Sequence, residues 1–155
     1  MFHNYLDRLH ADINQGDVEM VTEAVWAVSN LIADCPDNCR RVLDNEVFNK
    51  IYKLARSHVL KQRKEALIVL SYIVTSMTPP EVMQTCLDYT DLLPAIVDGL
   101  NIKEQQHINT MLSAIETLCM LDEHIGLNDC HSFRNLLENA GVIEKLEFLK
   151  QDPNS

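Results

Sequence analysis

Glycine and proline are scarce, four and five residues in a chain of 155. That leaves too little turn material for a β-rich fold. No apolar run approaches the roughly 18 residues that a membrane span needs, and the N-terminus lacks the apolar core of a signal peptide. Basic residues are outnumbered, 13 Lys and Arg against 23 Asp and Glu, and the resulting formal net charge of −10 argues against a nucleic-acid partner and favours basic ligands. Five cysteines, an odd number in no regular framework, fit reduced thiols rather than a disulfide scaffold. These absences predict a soluble, intracellular chain, one domain by length or a short run of stacked units.

What is present is helical. Hydrophobic residues make up 46% of the chain, enough for a continuous core, and the clearest periodicity surrounds its one tryptophan. Val18, Val21, Val25, Val28 and Ile32 recur at three- and four-residue steps, which predicts a helix from about Asp17 to Asp34 with those side chains on one packed stripe. Trp26 lies about 100° and Asn30 about 140° round the helix from Val25. That is an outer face, shared with Glu19, Glu23 and Asp34. An indole there beside a carboxamide and carboxylates is placed to hold a ligand.

The segment Glu23-Ala-Val-Trp-Ala-Val-Ser-Asn30 then repeats. Glu65-Ala-Leu-Ile-Val-Leu-Ser-Tyr72 puts Ile68 in the place of Trp26 and Tyr72 in that of Asn30. A third, weaker copy from His107 to Leu121 has Ser113 and Thr117 at the outer positions and Ile108, Leu112, Ile115 and Cys119 on the stripe. Spacings of 42 and 45 residues in an all-helical chain are those of armadillo and HEAT solenoids.

In chain order, Phe2, Tyr5, Leu6 and Leu9 mark a first amphipathic helix ending near Gly16, and Pro36 opens a short helix through Leu43. Phe48, Ile51, Tyr52 and Leu54 belong to a medium one, and Lys61 to Met77 is the second long helix. Thr78-Pro79-Pro80 restarts the series, followed by Leu92 to Leu100 and a third long helix over Lys103 to Leu121. A linker from Asp122 to Asp129, a short helix before Gly141, a last helix bearing Val142, Ile143, Leu146 and Leu149, and a frayed tail from Gln151 complete the chain. Short, medium and long helices in succession make the armadillo unit, so the expected fold is an all-α, right-handed superhelical armadillo solenoid of three to four repeats. Residues 1–34 form a partial repeat, 35–77 and 78–121 whole ones and 129–150 a partial terminal one. The stripe on the first helices has no preceding repeat to cover it, which predicts self-association or docking to another chain at the N-terminal end.

Glu23 to Leu31 resembles the tryptophan and asparagine helix repeated in importin-α, the armadillo adaptor of nuclear protein import. Lys61-Gln-Arg-Lys-Glu-Ala66 is similar to the basic lead-in of that family's eighth repeat, and Val142-Ile-Glu-Lys-Leu-Glu-Phe-Leu149 to a segment of its tenth. The resemblance spans nearly the whole chain as repeats seven to ten, without counterparts of the importin-β-binding arm or the major groove. It implies nuclear localisation signals as ligands at a minor-type groove, residence in cytoplasm and nucleus, and no cofactor. Trp26, Asn30, Ser29, Glu23 and Glu65 match the family's groove residues, whereas Ile68 and Tyr72 depart from it and leave one wall of the basic pocket aliphatic. It also implies a second reading: a scaffold that has lost signal binding and acts through its acidic C-terminal repeats, towards a nuclear export receptor.

The chemistry of the motif stands without the family. A pair at i and i+4 is stacked on one helix face, so an asparagine amide can donate to and accept from an extended peptide backbone beside the indole. Lysine and arginine stems pack on indole, and their charge gains about 0.5 to 2 kcal/mol of cation-π attraction. Other candidates carry less. Cys35 and Cys39 form one pair without nearby histidines, short of a four-ligand metal set. Cys130 and His131 are sequence neighbours whose side chains would diverge on a helix, a poor nucleophile and base. The six histidines are scattered and read as solvent-facing, and Lys61, Arg63 and Lys64 read as a solvated face or partners of nearby acids. No motif supports catalysis.

Overall fold

The computed structural model of the chain describes residues 2–125 and 132–151. It divides into two compact units, Met1–Met77 and Thr78–Ser155, and every regular element among the described residues is a helix.

In the first unit, α2 (Val18–Ile32) is set by its two ends. The Asp17 carboxylate accepts the Met20 amide at 2.9 Å, satisfying one donor of the first turn. At the other end Asp34 adopts φ +53°, the left-handed conformation that ends helices and that glycine takes most easily. The Asn38 side chain donates to the Leu31 carbonyl at 2.7 Å, and Pro36 opens α3 (Pro36–Leu43). Between these ends Val21, Val25, Val28 and Ile32 are buried, each contributing about 1.5 to 3 kcal/mol relative to an exposed side chain. Val18, assigned to the same stripe from its spacing, is instead 41% exposed.

Helix α1 (Phe2–Gln15) packs on α2 and on α4 (Glu46–Leu54), burying Leu6 and Leu9. It thereby covers part of the α2 stripe from within the chain. The turn between α1 and α2 requires a residue without a side chain: a Cβ on Gly16 would lie 2.5 Å from the Asp12 carbonyl oxygen. Asn45 ties α4 to α1, its side-chain oxygen accepting the Val47 amide at 2.9 Å while its amide donates to Asp7 at 3.1 Å. Helix α5 (Leu60–Ser76) buries Ala66, Leu67, Leu70, Ile73 and Val74. Helices α2 and α5 form the most extensively packed pair, and their first turns meet, since Lys61 reaches Glu19. Extensive contact with adjoining first turns makes the two helices parallel.

The second unit contains α6 (Pro79–Asp88), α7 (Leu92–Gly99), α8 (Gln105–Ile125), α9 (Phe133–Asn139) and α10 (Val142–Gln151). The Glu81 carboxylate accepts from the Thr78 amide at 3.0 Å and hydroxyl at 2.7 Å, fixing the start of α6. Asp122 caps α9 from α8, its two carboxylate oxygens accepting the Phe133 and Arg134 amides at 2.8 Å each. Gly141, at φ +86°, turns the chain from α9 into α10.

Helix α8 runs four residues past the Leu121 end that periodicity suggests, and its inward face is also displaced. His107, Met111, Ala114, Ile115 and Leu118 are buried, while Ile108, Leu112 and Cys119 are only half-covered. His107, 3% exposed, is therefore not solvent-facing. Aligned by burial, Ala114 and Ile115 take the places of Ala24 and Val25, and the outer positions of the third copy become Glu116 and Met120 rather than Ser113 and Thr117. The cause is a spacing of 48 residues from Ile68 to Glu116, where aligning serine and threonine to the motif suggests 45. Gly126, Cys130, His131 and the tail from 152 lie outside the described residues, as does the second half of the linker placed at 122–129, whose first half belongs to α8.

Candidate functional site

Glu19, Glu23, Trp26 and Asn30 stand at i, i+4, i+7 and i+11 of α2, within an arc of about 60°. All four are exposed. Trp26 shows 55% of its surface to solvent, although the buried Val25 precedes it and the buried Ser29 lies about 60° from it on the wheel. A large aromatic left open on a helix so firmly seated is an available contact surface, and its polar neighbours one turn to each side supply an amide and carboxylates.

The other candidates are distributed unevenly. Ser29 is 3% exposed, and its hydroxyl donates to the Trp26 carbonyl at 2.6 Å. It supports the helix and cannot meet a ligand, because position 29 falls on the inward side of the arc. Ser71, its counterpart on α5, does the same, donating to the Leu67 carbonyl at 2.9 Å. Glu65 is half-buried with one carboxylate oxygen shut off from solvent, so a ligand could approach only the other. Ile68 and Tyr72 are half-buried.

Lys61 completes the picture. Its ammonium donates to the Glu19 carboxylate at 2.9 Å across the α2–α5 junction, with both side chains about two-thirds exposed at 65% and 68%. The two residues are 42 positions apart, the same offset that relates Glu23 to Glu65, Trp26 to Ile68 and Asn30 to Tyr72. Lys61 was legible as part of a solvated face or as a partner of nearby acids, and its bond to Glu19 is the second of these. The repeat offset of 42 was the signal that pairs it with Glu19.

Burial raises the Cys39 thiol to about 11, the nearby Cys35 adding to the rise and a Ser76 hydrogen bond opposing it, and burial alone raises Cys86 to about 12. Both are neutral near pH 7 and poor nucleophiles. A cleft of about 150 Å³ in the second unit is lined mainly by Cys86, Leu93, Pro94 and Leu136, with no charged side chain to orient a ligand. Among the described residues no group of three His, Cys, Asp or Glu could hold a metal ion, and no helix is long and apolar enough to cross a membrane.

No family model and no curated protein matches the chain. Solved structures do. An engineered protein matches with a TM-score of 0.74 at 19% identity, over 97% of this chain and 56% of its own. Computationally designed armadillo repeat proteins for modular peptide recognition match at 0.75 and 16%, over 95% and 57%. A designed armadillo repeat protein in complex with the peptide (KR)4 matches at 0.62 and 19%, over 97% and 76%. The chain thus spans a little over half the length of the first two, and identities this low speak to fold alone. That fold is an armadillo-type α-solenoid of a few repeats.

Proposed function

We propose that the chain is a peptide-binding armadillo scaffold that holds a lysine- or arginine-rich extended peptide on the outer face of α2, as importin-α-like adaptors hold nuclear localisation signals for protein import, and so works in cytoplasm and nucleus. The observation that carries this is the exposed Trp26, one turn from Asn30 and flanked by Glu19 and Glu23. The indole takes the stem and charge of a basic side chain. Asn30 pairs with the peptide backbone, and the carboxylates together with the net charge of −10 draw cations to the face. The designed relative in complex with (KR)4 supports a basic peptide as ligand. With Ile68 where a second aromatic wall would stand, binding is in the micromolar class, on the order of −8 kcal/mol at most.

The test is fluorescence anisotropy of a labelled (KR)4 peptide at low salt. Trp26→Ala weakens binding by roughly 1 to 3 kcal/mol, Ile68→Trp strengthens it, and added salt weakens it because exposed charges are screened. A folded wild-type chain that binds no basic peptide at low salt would refute the proposal. The competing reading, a scaffold acting through its acidic C-terminal repeats towards a nuclear export receptor, draws support from Ile143 and Phe148. These are 49% and 59% exposed on α10, beside Glu144 and Glu147.

A further inference from the structure

The cleft of about 150 Å³ in the second unit lies where α6 gives way to α7, with α9 closing its other side. Cys86 and Leu93, 6% and 3% exposed, are its buried floor. Pro94, Leu136 and Ala140 are half-buried walls, and Thr90 and Asn139 are exposed at its mouth. We propose that this cleft is an anchor pocket for a partner protein's segment that carries one large apolar side chain, a phenylalanine or leucine, between lysines or arginines. The pocket is separate from the Trp26 face and does not rest on the function proposed above.

Volume, lining and charge each narrow the occupant. An apolar cavity of about 150 Å³ holds a molecule the size of benzene, so one large side chain enters and a stretch of chain does not. No charged side chain lines the cleft, and an ammonium or carboxylate inside would lose its hydration without a partner. The anchor is therefore apolar. At the mouth the Thr90 hydroxyl and the Asn139 amide offer donors and acceptors to the backbone on either side of an anchor. Asp88 and Glu138, exposed and within two residues of Cys86 and Asn139 in the chain, stand just outside. Residues 78–155 as a whole carry 13 Asp and Glu against 4 Lys and Arg. Acids around an uncharged pocket attract a basic flank. An acidic segment would be repelled before its anchor could enter.

The experiment measures the anisotropy of labelled Lys-Lys-Phe-Lys-Lys and Lys-Lys-Ala-Lys-Lys peptides with wild type, Ala140→Leu, Thr90→Leu, an Asp88→Asn, Glu138→Gln double variant and Trp26→Ala. Wild type should bind the phenylalanine peptide at least about tenfold tighter than the alanine one, the scale of burying one large apolar side chain. The same peptide should shift the amide NMR resonances of Asn139 and Ala140. Ala140→Leu and Thr90→Leu narrow the cleft from its two sides, and each, once its thermal midpoint shows it folded, should bring the preference within about twofold. Neutralising Asp88 and Glu138 should weaken both peptides alike, about two- to fivefold, and keep the preference. Trp26→Ala should leave the preference unchanged, so that this pocket and the Trp26 face stand or fall separately. Equal binding of the two peptides by wild type, a preference that survives in a folded cleft variant or disappears with Trp26→Ala, or resonance shifts confined to α2 would overturn the inference. So would self-association of wild type that Ala140→Leu abolishes, which would make a second copy of the chain the occupant.

Discussion

Truncating Trp26 distinguishes a contact surface from a packing residue, because the structure assigns it a stability cost well below that of a core aromatic. With 55% of the side chain exposed, a little under half of a whole tryptophan of about 250 Å² is covered, about 110 Å². At about 25 cal/mol per Å² this is at most about 3 kcal/mol. The Cβ that alanine retains and the compactness of the unfolded chain bring it nearer 2 kcal/mol. Phe48, fully buried in the same unit, should cost about 3 to 5 kcal/mol as Phe48→Ala. Urea denaturation followed by far-ultraviolet circular dichroism measures both variants without relying on the indole as a probe. A Trp26→Ala variant as destabilised as Phe48→Ala would refute the outward orientation, and with it the proposed face.

Asp122→Ala should remove the cap of α9 and strand the Phe133 and Arg134 amides, costing about 2 kcal/mol. Amide hydrogen exchange should speed up across 133–139 and stay unchanged in α2. Asp34→Gly relieves a left-handed non-glycine residue and should raise stability by up to about 1 kcal/mol, read as a higher thermal midpoint; a lower midpoint contradicts the backbone geometry. The neutral buried thiols give a pH dependence. The unfolded chain loses these protons from about pH 8.5, whereas the folded chain holds them until about 11 at Cys39 and about 12 at Cys86. Their contribution is therefore complete below about pH 8.5 and is lost as the pH rises towards those values. A Cys39→Ala, Cys86→Ala double variant should lose less stability between pH 7 and 10 than wild type does, and equal losses would count against buried, neutral thiols.

How much was legible follows from what each residue answers to. The starts of α3 and α6 were readable because Pro36 and Pro79 can only begin a helix. The buried face of α2 was readable from Val21 to Ile32 because local periodicity and packing agree. Register in α8 was not, because Ser113 and Thr117 imitate the motif chemically while burial follows Ala114 and Ile115. His107 looked like a surface histidine because a single polar position in a helix does not show whether neighbouring helices cover it. Ser29 was placed in the site by likeness to a family pattern, although its small hydroxyl can satisfy itself on the Trp26 carbonyl inside the helix. The Glu19–Lys61 pair needed the second helix in place before its partner could be named.

The central claim is that a basic peptide sits against Trp26, and the chain carries its own probe, since that indole is its sole tryptophan. Titrating a tryptophan-free (KR)4 peptide at low salt should give a saturable change in intrinsic fluorescence with a micromolar midpoint, reversed by added salt and absent with an uncharged peptide of the same length. Binding detected by calorimetry without any change in the fluorescence of Trp26, or no binding at all, would contradict it.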